Sequence, residues 1–263
     1  MKNFVFLLIG MSVFLFVKAQ KVEFGIQGGV CNYWGDLSPQ IKLKETHGTA
    51  GTFIRLNLSN TIAFKAEYNQ LLVSGNDKNF DFNKDRNLSF TSNISEFAAV
   101  VEFNYLRYGP FVLDKKMTSF VFVGIAAFMF NPKAKLGDKY YDLRDYQTEN
   151  VLYSRTSLAI PFGIGYKYMF NNRFAIEGQL GFRKTFTDYI DDVSTVYPDV
   201  ANRFKDGGIV SATLTDRSVE LYGTPQNKLF YKRGNPDYDD WYMSLTVSVV
   251  MRIHGRIKCA RFF

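Results

Sequence analysis

The side chains that could do chemistry are few and scattered. His47 and His254 lie far apart in the chain. Asp188, Asp191 and Asp192 form the densest acidic run. Such a run could bind Ca²⁺ through oxygen ligands or act as an acid/base pair. It lacks the spacing of a calcium loop, and charged loop residues are ordinarily solvated. Cys31 and Cys259 lie near opposite ends of the chain. They have no Cys/His neighbourhood with metal-ligand spacing, and two cysteines do not make a disulfide framework, so free thiols are expected. No set of nucleophile, base and orienter can be placed. The expectation is no catalytic site, no metal and no cofactor.

The elements that must position these residues are strands. The clearest is a hairpin over 157–183. Leu158, Ile160, Phe162, Ile164, Tyr166 and Tyr168 alternate with Ser157, Ala159, Pro161, Gly163, Gly165 and Lys167. After Asn171 and Asn172, which suit a tight turn, Phe174, Ile176, Gly178, Leu180 and Phe182 alternate with Ala175, Glu177, Gln179, Gly181 and Arg183. Strand side chains point to opposite faces with period two, so one face is large and apolar and the other small or charged.

The same alternation marks strands at 21–33, 49–58, 61–74, 89–107 and 241–254. A further strand at 118–130 is apolar on both parities, so its facing is ambiguous. That makes eight strands. Their connections alternate long and short, with the long ones at 34–48, 75–88, 131–156 and 186–240. Outer-membrane barrels have an even strand number, short periplasmic turns and long outer loops. The predicted fold is therefore all-β, an eight-stranded antiparallel transmembrane β-barrel with long outer loops. In it His47 and His254 sit at opposite rims and cannot meet. A barrel this narrow is filled by its own side chains. Arg55, Lys65, Glu67, Glu96, Glu102, Lys167, Glu177, Arg183 and Arg252 are expected to pair inside it, which disfavours a wide pore.

Aromatic residues make up 17% of the chain, with 26 Phe and 16 Tyr against two Trp, which suits aromatic girdles at two membrane interfaces. Residues 1–19 read as a signal peptide: Lys2, an apolar run from Phe4 to Val17, and small residues before Gln20. The predicted division is signal peptide 1–19, barrel 20–254 and periplasmic tail 255–263. Removing Lys2 and Lys18 with the signal lowers the net charge from +7 to +5. With no basic stripe, nothing points to nucleic acid; outer-membrane lipid is the first partner.

Several motifs carry a family resemblance. They are Y-W-G-D at 33–36, F-N-P-K-A at 130–134, Y-Y-D-L at 140–143, L-A-I-P-F-G-I-G-Y-K-Y at 158–168 and F-R-K-T-F-T-D-Y-I-D-D-V-S at 182–194. The chain resembles the PorG family of outer-membrane barrels, over about 21–194 and more loosely over the last strand and its R-F-F end. The resemblance implies a non-enzymatic component of the type IX secretion system, holding a periplasmic ring of PorK lipoprotein and PorN to the outer membrane. The alternatives are a barrel enzyme acting on lipid or peptide, and a generic structural or adhesion barrel.

Two-residue turns cannot supply the ~1,000 Å² that a stable protein contact needs. The inner surface is therefore expected from the 107–117 link and the tail. Their basic residues, Arg107, Lys115, Lys116, Arg256, Lys258 and Arg261, are the candidate partner-binding groups. Such charges orient docking to an acidic partner. The competing role for them is snorkelling among lipid headgroups.

Overall fold

A computed structural model of the chain describes residues 21–81, 83–108, 116–226 and 229–253. The signal peptide, Lys115, His254 and the whole 255–263 tail lie outside the described residues. The described strands are β1 (Lys21–Trp34), β2 (His47–Asn57), β3 (Ile62–Asn76), β4 (Ser89–Asn104), β5 (Met117–Leu136), β6 (Lys139–Asp142), β7 (Thr156–Met169), β8 (Phe174–Thr185) and β9 (Trp241–Ile253). All pairs are antiparallel. β1 pairs with β2 on one side and with β9 on the other, so the sheet closes on itself. Eight strands form the closed barrel. β6 is outside it and pairs only with the overhang of β5 at Lys133–Leu136.

The facing of the strands is that of a membrane barrel. Phe97, Val121, Ile164, Leu245 and Val247 are each more than half exposed, while Arg55, Lys65, Glu96, Glu102 and Lys167 are at most 1% exposed. A water-soluble barrel would have to reverse this, because exposed aliphatic surface costs about 25 cal/mol per Å² in water. An apolar belt outside and charge inside is stable only where lipid is the solvent. Aromatic residues crowd the short-turn end of the belt at Phe64, Tyr105, Tyr168, Phe170 and Phe174, all exposed. Both tryptophans lie at the other end, where Trp34 pairs directly with Trp241.

β5, whose sequence is apolar on both parities, is resolved by what lies beneath it. Phe120, Phe122 and Phe128 point inward and are buried. The Lys167 ammonium sits 4.2 Å above the Phe120 ring, and Lys65 is 5.4 Å from the Phe122 ring. The rings serve as apolar neighbours that still attract cations. β7 carries Pro161, buried and facing inward. The β5–β7 ladder lapses opposite it, between Val123↔Phe162 and Ala126↔Ala159, because proline has no N–H to give.

The inner links are tight. At residues 58–61, the Ser59 Oγ accepts from Thr61 N and Ile62 N. At residues 170–173, the Asn171 Oδ1 accepts from Arg173 N and Phe174 N, both at 2.8 Å. Two outer connections, 131–156 and 186–240, contain α-helices or a strand that sequence patterning read as loop. They include α1 (Leu143–Tyr146), α2 (Val200–Thr215) and α3 (Val219–Tyr222). Asp199 caps α2 by accepting from Ala201 N at 2.9 Å, and the helix kinks at Gly208, whose φ is +67°.

Val247 faces outward near the middle of β9. A charge there costs ~2–4 kcal/mol at the bilayer midplane. Val247→Arg should lower the yield of heat-modifiable, folded barrel in lipid vesicles, whereas Val247→Leu and the inward Ser248→Ala should not. Equal yields for Val247→Arg and Val247→Leu would remove the assigned facing.

Candidate functional site

The lumen is organised around one guanidinium. Arg55 on β2 meets Glu23 of β1 at 2.9 Å, Glu102 of β4 at 2.9 Å and Glu177 of β8 at 2.7 Å. Lys65 lies 3.1 Å from Glu67 and 3.3 Å from Glu102, and Lys167 also donates to Glu102. Arg252 pairs with Glu23 at 2.8 Å. One layer outward, Arg183 reaches Glu96 at 3.1 Å, and Glu96 also accepts from Tyr242 and from Asn69. The buried lumenal carboxylates are Glu23, Glu67, Glu96, Glu102 and Glu177; the buried cations are Arg55, Lys65, Lys167, Arg183 and Arg252. Among the described residues the two sets balance, five against five. Buried charge is tolerated only when paired and hydrogen-bonded, and the equal count lets every member find a counter-charge.

The inner mouth is stoppered. Tyr108, from the link after β4, is 3% exposed and packs with Phe53, Met169, Ala175 and Val250. Its backbone N–H donates to Asn60 O at 3.1 Å, and Arg252 sits 5.2 Å from its ring. Of the six candidate partner-binding residues, Arg107 and Lys116 are exposed beside this stopper. Lys115, Arg256, Lys258 and Arg261 lie outside the described residues.

The outer mouth is covered by a folded cap in which all four outer connections are tied together. Glu149 accepts from Ser194 N, Thr195 N and Thr195 Oγ1 and pairs with Arg233 at 2.9 Å. Arg86 bridges three connections, pairing with Asp77 at 2.7 Å and donating to Asp36 O and Arg233 O. A ring stack continues the core of the barrel into the cap: Phe130 on Tyr153 at 6.3 Å, and Tyr153 on Tyr189 at 4.6 Å. α2 docks through Ser211 Oγ to Tyr146 O at 3.2 Å.

The acidic run is neither a solvated loop nor a calcium loop. Asp191 and Asp192 are almost fully buried, and Asp188 is 9% exposed. Among the described residues no group of three or more His, Cys, Asp and Glu is arranged to hold a metal ion. Asp191 and Asp192 fasten the cap instead. Asp192, in the left-handed region at φ +67°, accepts from Thr148 Oγ1 and Tyr153 Oη. Asp191 accepts from Val193 N at 2.9 Å and Leu37 N at 3.2 Å. The sequence signal for this role was present in the D-Y-I-D-D-V-S spacing, but Asp240, a further member, is remote in sequence.

Tyr33 Oη lies 2.6 Å from Asp191 Oδ2 and also contacts Asp240 Oδ1. A phenol has one proton to donate. Two carboxyls therefore crowd one phenol in a buried site, an arrangement that favours the protonated form of a carboxyl. Burial, with the Asp36 charge next, pushes Asp191 up to about 8. Burial, with Asp191 next, pushes Asp188 up to about 9, and its Oδ2 has no hydrogen-bond partner among the described residues. Burial and the same neighbours raise Asp240 well above the carboxylate range. Asp192 rises only to about 6, because Arg233 opposes its burial. His47, by contrast, is accounted for at the edge of the cap by Ser74 Oγ at 2.7 Å. Cys31 is a buried free thiol that donates to Leu72 O at 3.0 Å.

Residues 1–214 match the family described as a domain of unknown function, DUF6089. No curated protein matches the chain. Solved structures that match include Ail, the attachment invasion locus protein of Yersinia pestis, at 8% identity and TM-score 0.44, covering 90% of this chain and 100% of that one. Neisserial surface protein A matches at 7% identity and TM-score 0.42, covering 88% and 97%. OprG from Pseudomonas aeruginosa matches at 8% identity and TM-score 0.40, covering 90% and 98%. The closed eight-stranded fold stands on the strand pairing itself.

Two outcomes follow for stability. Arg55→Met would leave three carboxylates without their shared cation, and removing one partner of a buried pair costs ~3–5 kcal/mol. Urea unfolding in vesicles should show that loss, and Arg173→Met, at an exposed position in an inner link, should not. In the cap, the folded carboxyl values lie above the unfolded value of ~3.9. The stabilisation from these protonated acids is complete below ~4 and is lost as pH rises through about 8 to 9. Amide exchange of residues 186–195, corrected for intrinsic rate, should accelerate over that rise. Asp240→Asn, which keeps a permanent proton at the Tyr33 contact, should flatten the rise; an unchanged pH profile would refute protonation at this contact.

Proposed function

The chain belongs to the DUF6089 family, and we propose that it is a non-enzymatic outer-membrane component of the type IX protein secretion system. In this reading it resides in the outer membrane of a Gram-negative bacterium and anchors a periplasmic ring of PorK and PorN. One observation carries the mechanical part of the proposal. The lumen is filled by a neutral set of paired charges, closed at the inner mouth by Tyr108 and at the outer mouth by the tied cap. A body built this way suits a scaffold better than a conduit. Two of the acids that sequence spacing offered for catalysis, Asp191 and Asp192, fasten the cap, which favours a non-enzymatic role. The secretion role itself draws on the resemblance of the Y-W-G-D, Y-Y-D-L and F-R-K-T-F-T-D-Y-I-D-D-V-S stretches to the PorG family.

Docking is assigned to the inner rim, at Arg107, Lys115, Lys116, Arg256, Lys258 and Arg261. Exposed Arg107 and Lys116 flank the stoppered mouth, where positive charge would steer an acidic partner and the contact would weaken with salt. Affinity isolation of the barrel from outer membranes should recover PorK and PorN. Replacing Lys115, Lys116, Arg256 and Lys258 by Glu should leave the barrel folded, judged by heat-modifiable migration, and should lower that recovery. Undiminished recovery across a range of salt would move the contact to another surface; no ring proteins with the parent barrel would refute the secretion role.

A further inference from the structure

Both tryptophans of the chain line one cleft at the outer rim. Trp34 ends β1, Trp241 begins β9, and the two stand directly opposite each other in the ladder. With Tyr238 they wall a cleft of about 340 Å³ whose polar lining includes Asp36 and Asp239. That volume is at the small end of ligand sites, and an apolar wall with a few polar groups is their usual composition. Trp34 is 51% exposed and Tyr238 75%, so the walls are open. Trp241 is braced from behind by Phe162, whose ring meets it edge-on at 6.1 Å.

The geometry points to a binding site for an alkylammonium group. Among the described residues no Lys or Arg lines the cleft. Arg86, whose charge reaches Asp36, is committed to Asp77 and to backbone carbonyls. Lys232, whose charge also reaches Asp36, has its Nζ on Asn235 Oδ1. The charged groups of the lining itself are the carboxylates of Asp36 and Asp239, with exposed Lys184 standing opposite Trp241 in the β8–β9 ladder. Indole and phenol faces attract a cation through their negative π-surfaces, and quaternary ammonium recognition by aromatic cages is the recurring use of that attraction. Asp36 is fixed in place by accepting from Asn235 N at 2.7 Å. Gly35 lets the chain pass between cleft and cap: a Cβ there would lie 2.0 Å from Tyr33 Oη and 2.2 Å from Asp240 Oδ1. The floor of the cleft thus backs directly onto the contact between Tyr33 and Asp240.

A girdle role alone would place two indoles at the interface but gives no reason for two carboxylates beside them. The alkylammonium could come as a free solute or as a lipid headgroup, since the cleft opens where the apolar belt ends. This site lies at the rim opposite the proposed ring-docking residues, so its test is independent of the secretion role.

Because the chain has no other tryptophan, emission excited selectively from indole reports on this cleft alone. The whole mature barrel in a nonionic detergent should show a saturable change in emission on titration with choline. The neutral isostere 3,3-dimethylbutan-1-ol should give none. Asp36→Asn with Asp239→Asn, which keeps the acceptor for Asn235 N, should weaken the apparent affinity by about tenfold or more. In a second arm, vesicles of phosphatidylcholine are compared with vesicles of phosphatidylglycerol. A change with free choline assigns a solute; a change only with phosphatidylcholine assigns a headgroup. An equal response to the neutral isostere, or no saturable response in either arm, would overturn the proposal.

Discussion

Arg55 is the charge on which the lumen depends. It gathers carboxylates from β1, β4 and β8, strands spread around the circumference, onto one guanidinium. Buried ion pairs are weak sources of net stability, because desolvation offsets most of the attraction. Their stronger effect here is on register. Side chains alternate with period two, so a one-residue slip of β2 would turn Arg55 toward lipid and Ile54 toward the lumen. A two-residue slip would keep the facing but carry Arg55 away from Glu23 and Glu102. Only the observed register satisfies both lipid outside and charge balance inside. The cation–aromatic contacts of Lys65 and Lys167 have the same consequence for β5, whose own sequence does not specify a face.

The cap solves a different problem by a different means. Outside the bilayer, water could hydrate its acids, yet Asp191, Asp192 and Asp240 are buried. They are tolerated because backbone N–H groups and hydroxyls surround them, and because burial beside Tyr33 raises Asp191 and Asp240 toward their protonated forms. In the lumen, neutrality comes from cations. In the cap it comes partly from protons. The second depends on pH, so the cap is held less firmly as pH rises through about 8 to 9.

Sequence and structure agree wherever a single periodicity governs. The parity of Phe174, Ile176 and Leu180 against Glu177, Gln179 and Arg183 gives facing, and the alternation of long and short connections gives closure. Agreement fails where the deciding contact is distant. Residues 200–215 carry a helix whose cap signal, Asp199, is followed by Gly207 and Gly208, and the kink at Gly208 breaks the helical period that would have revealed it. Reading the two inner links as two-residue turns was too short, because Ser59 and Asn171 stabilise four-residue connections through side-chain bonds. The acids at 188–192 were expected to be solvated. Their burial depends on Tyr33, Tyr153 and Asp240, which come from three other stretches of chain. Tyr108, the inner stopper, has no local pattern to mark it at all.

A filled and neutral lumen has one more consequence. Its charges are already paired with one another, and the groups in the cap are largely engaged with one another as well. Among the described residues, groups still open to a partner include those at the two rims. The inner rim presents basic residues beside a closed mouth, and the outer rim presents indoles beside carboxylates. The barrel between them holds these rims at a fixed separation and orientation across the membrane. Rigid sealing and polarised rims therefore belong to one design, because a lumen that conducted would need unpaired charge or open volume, and either would loosen the strand register that sets where each rim stands.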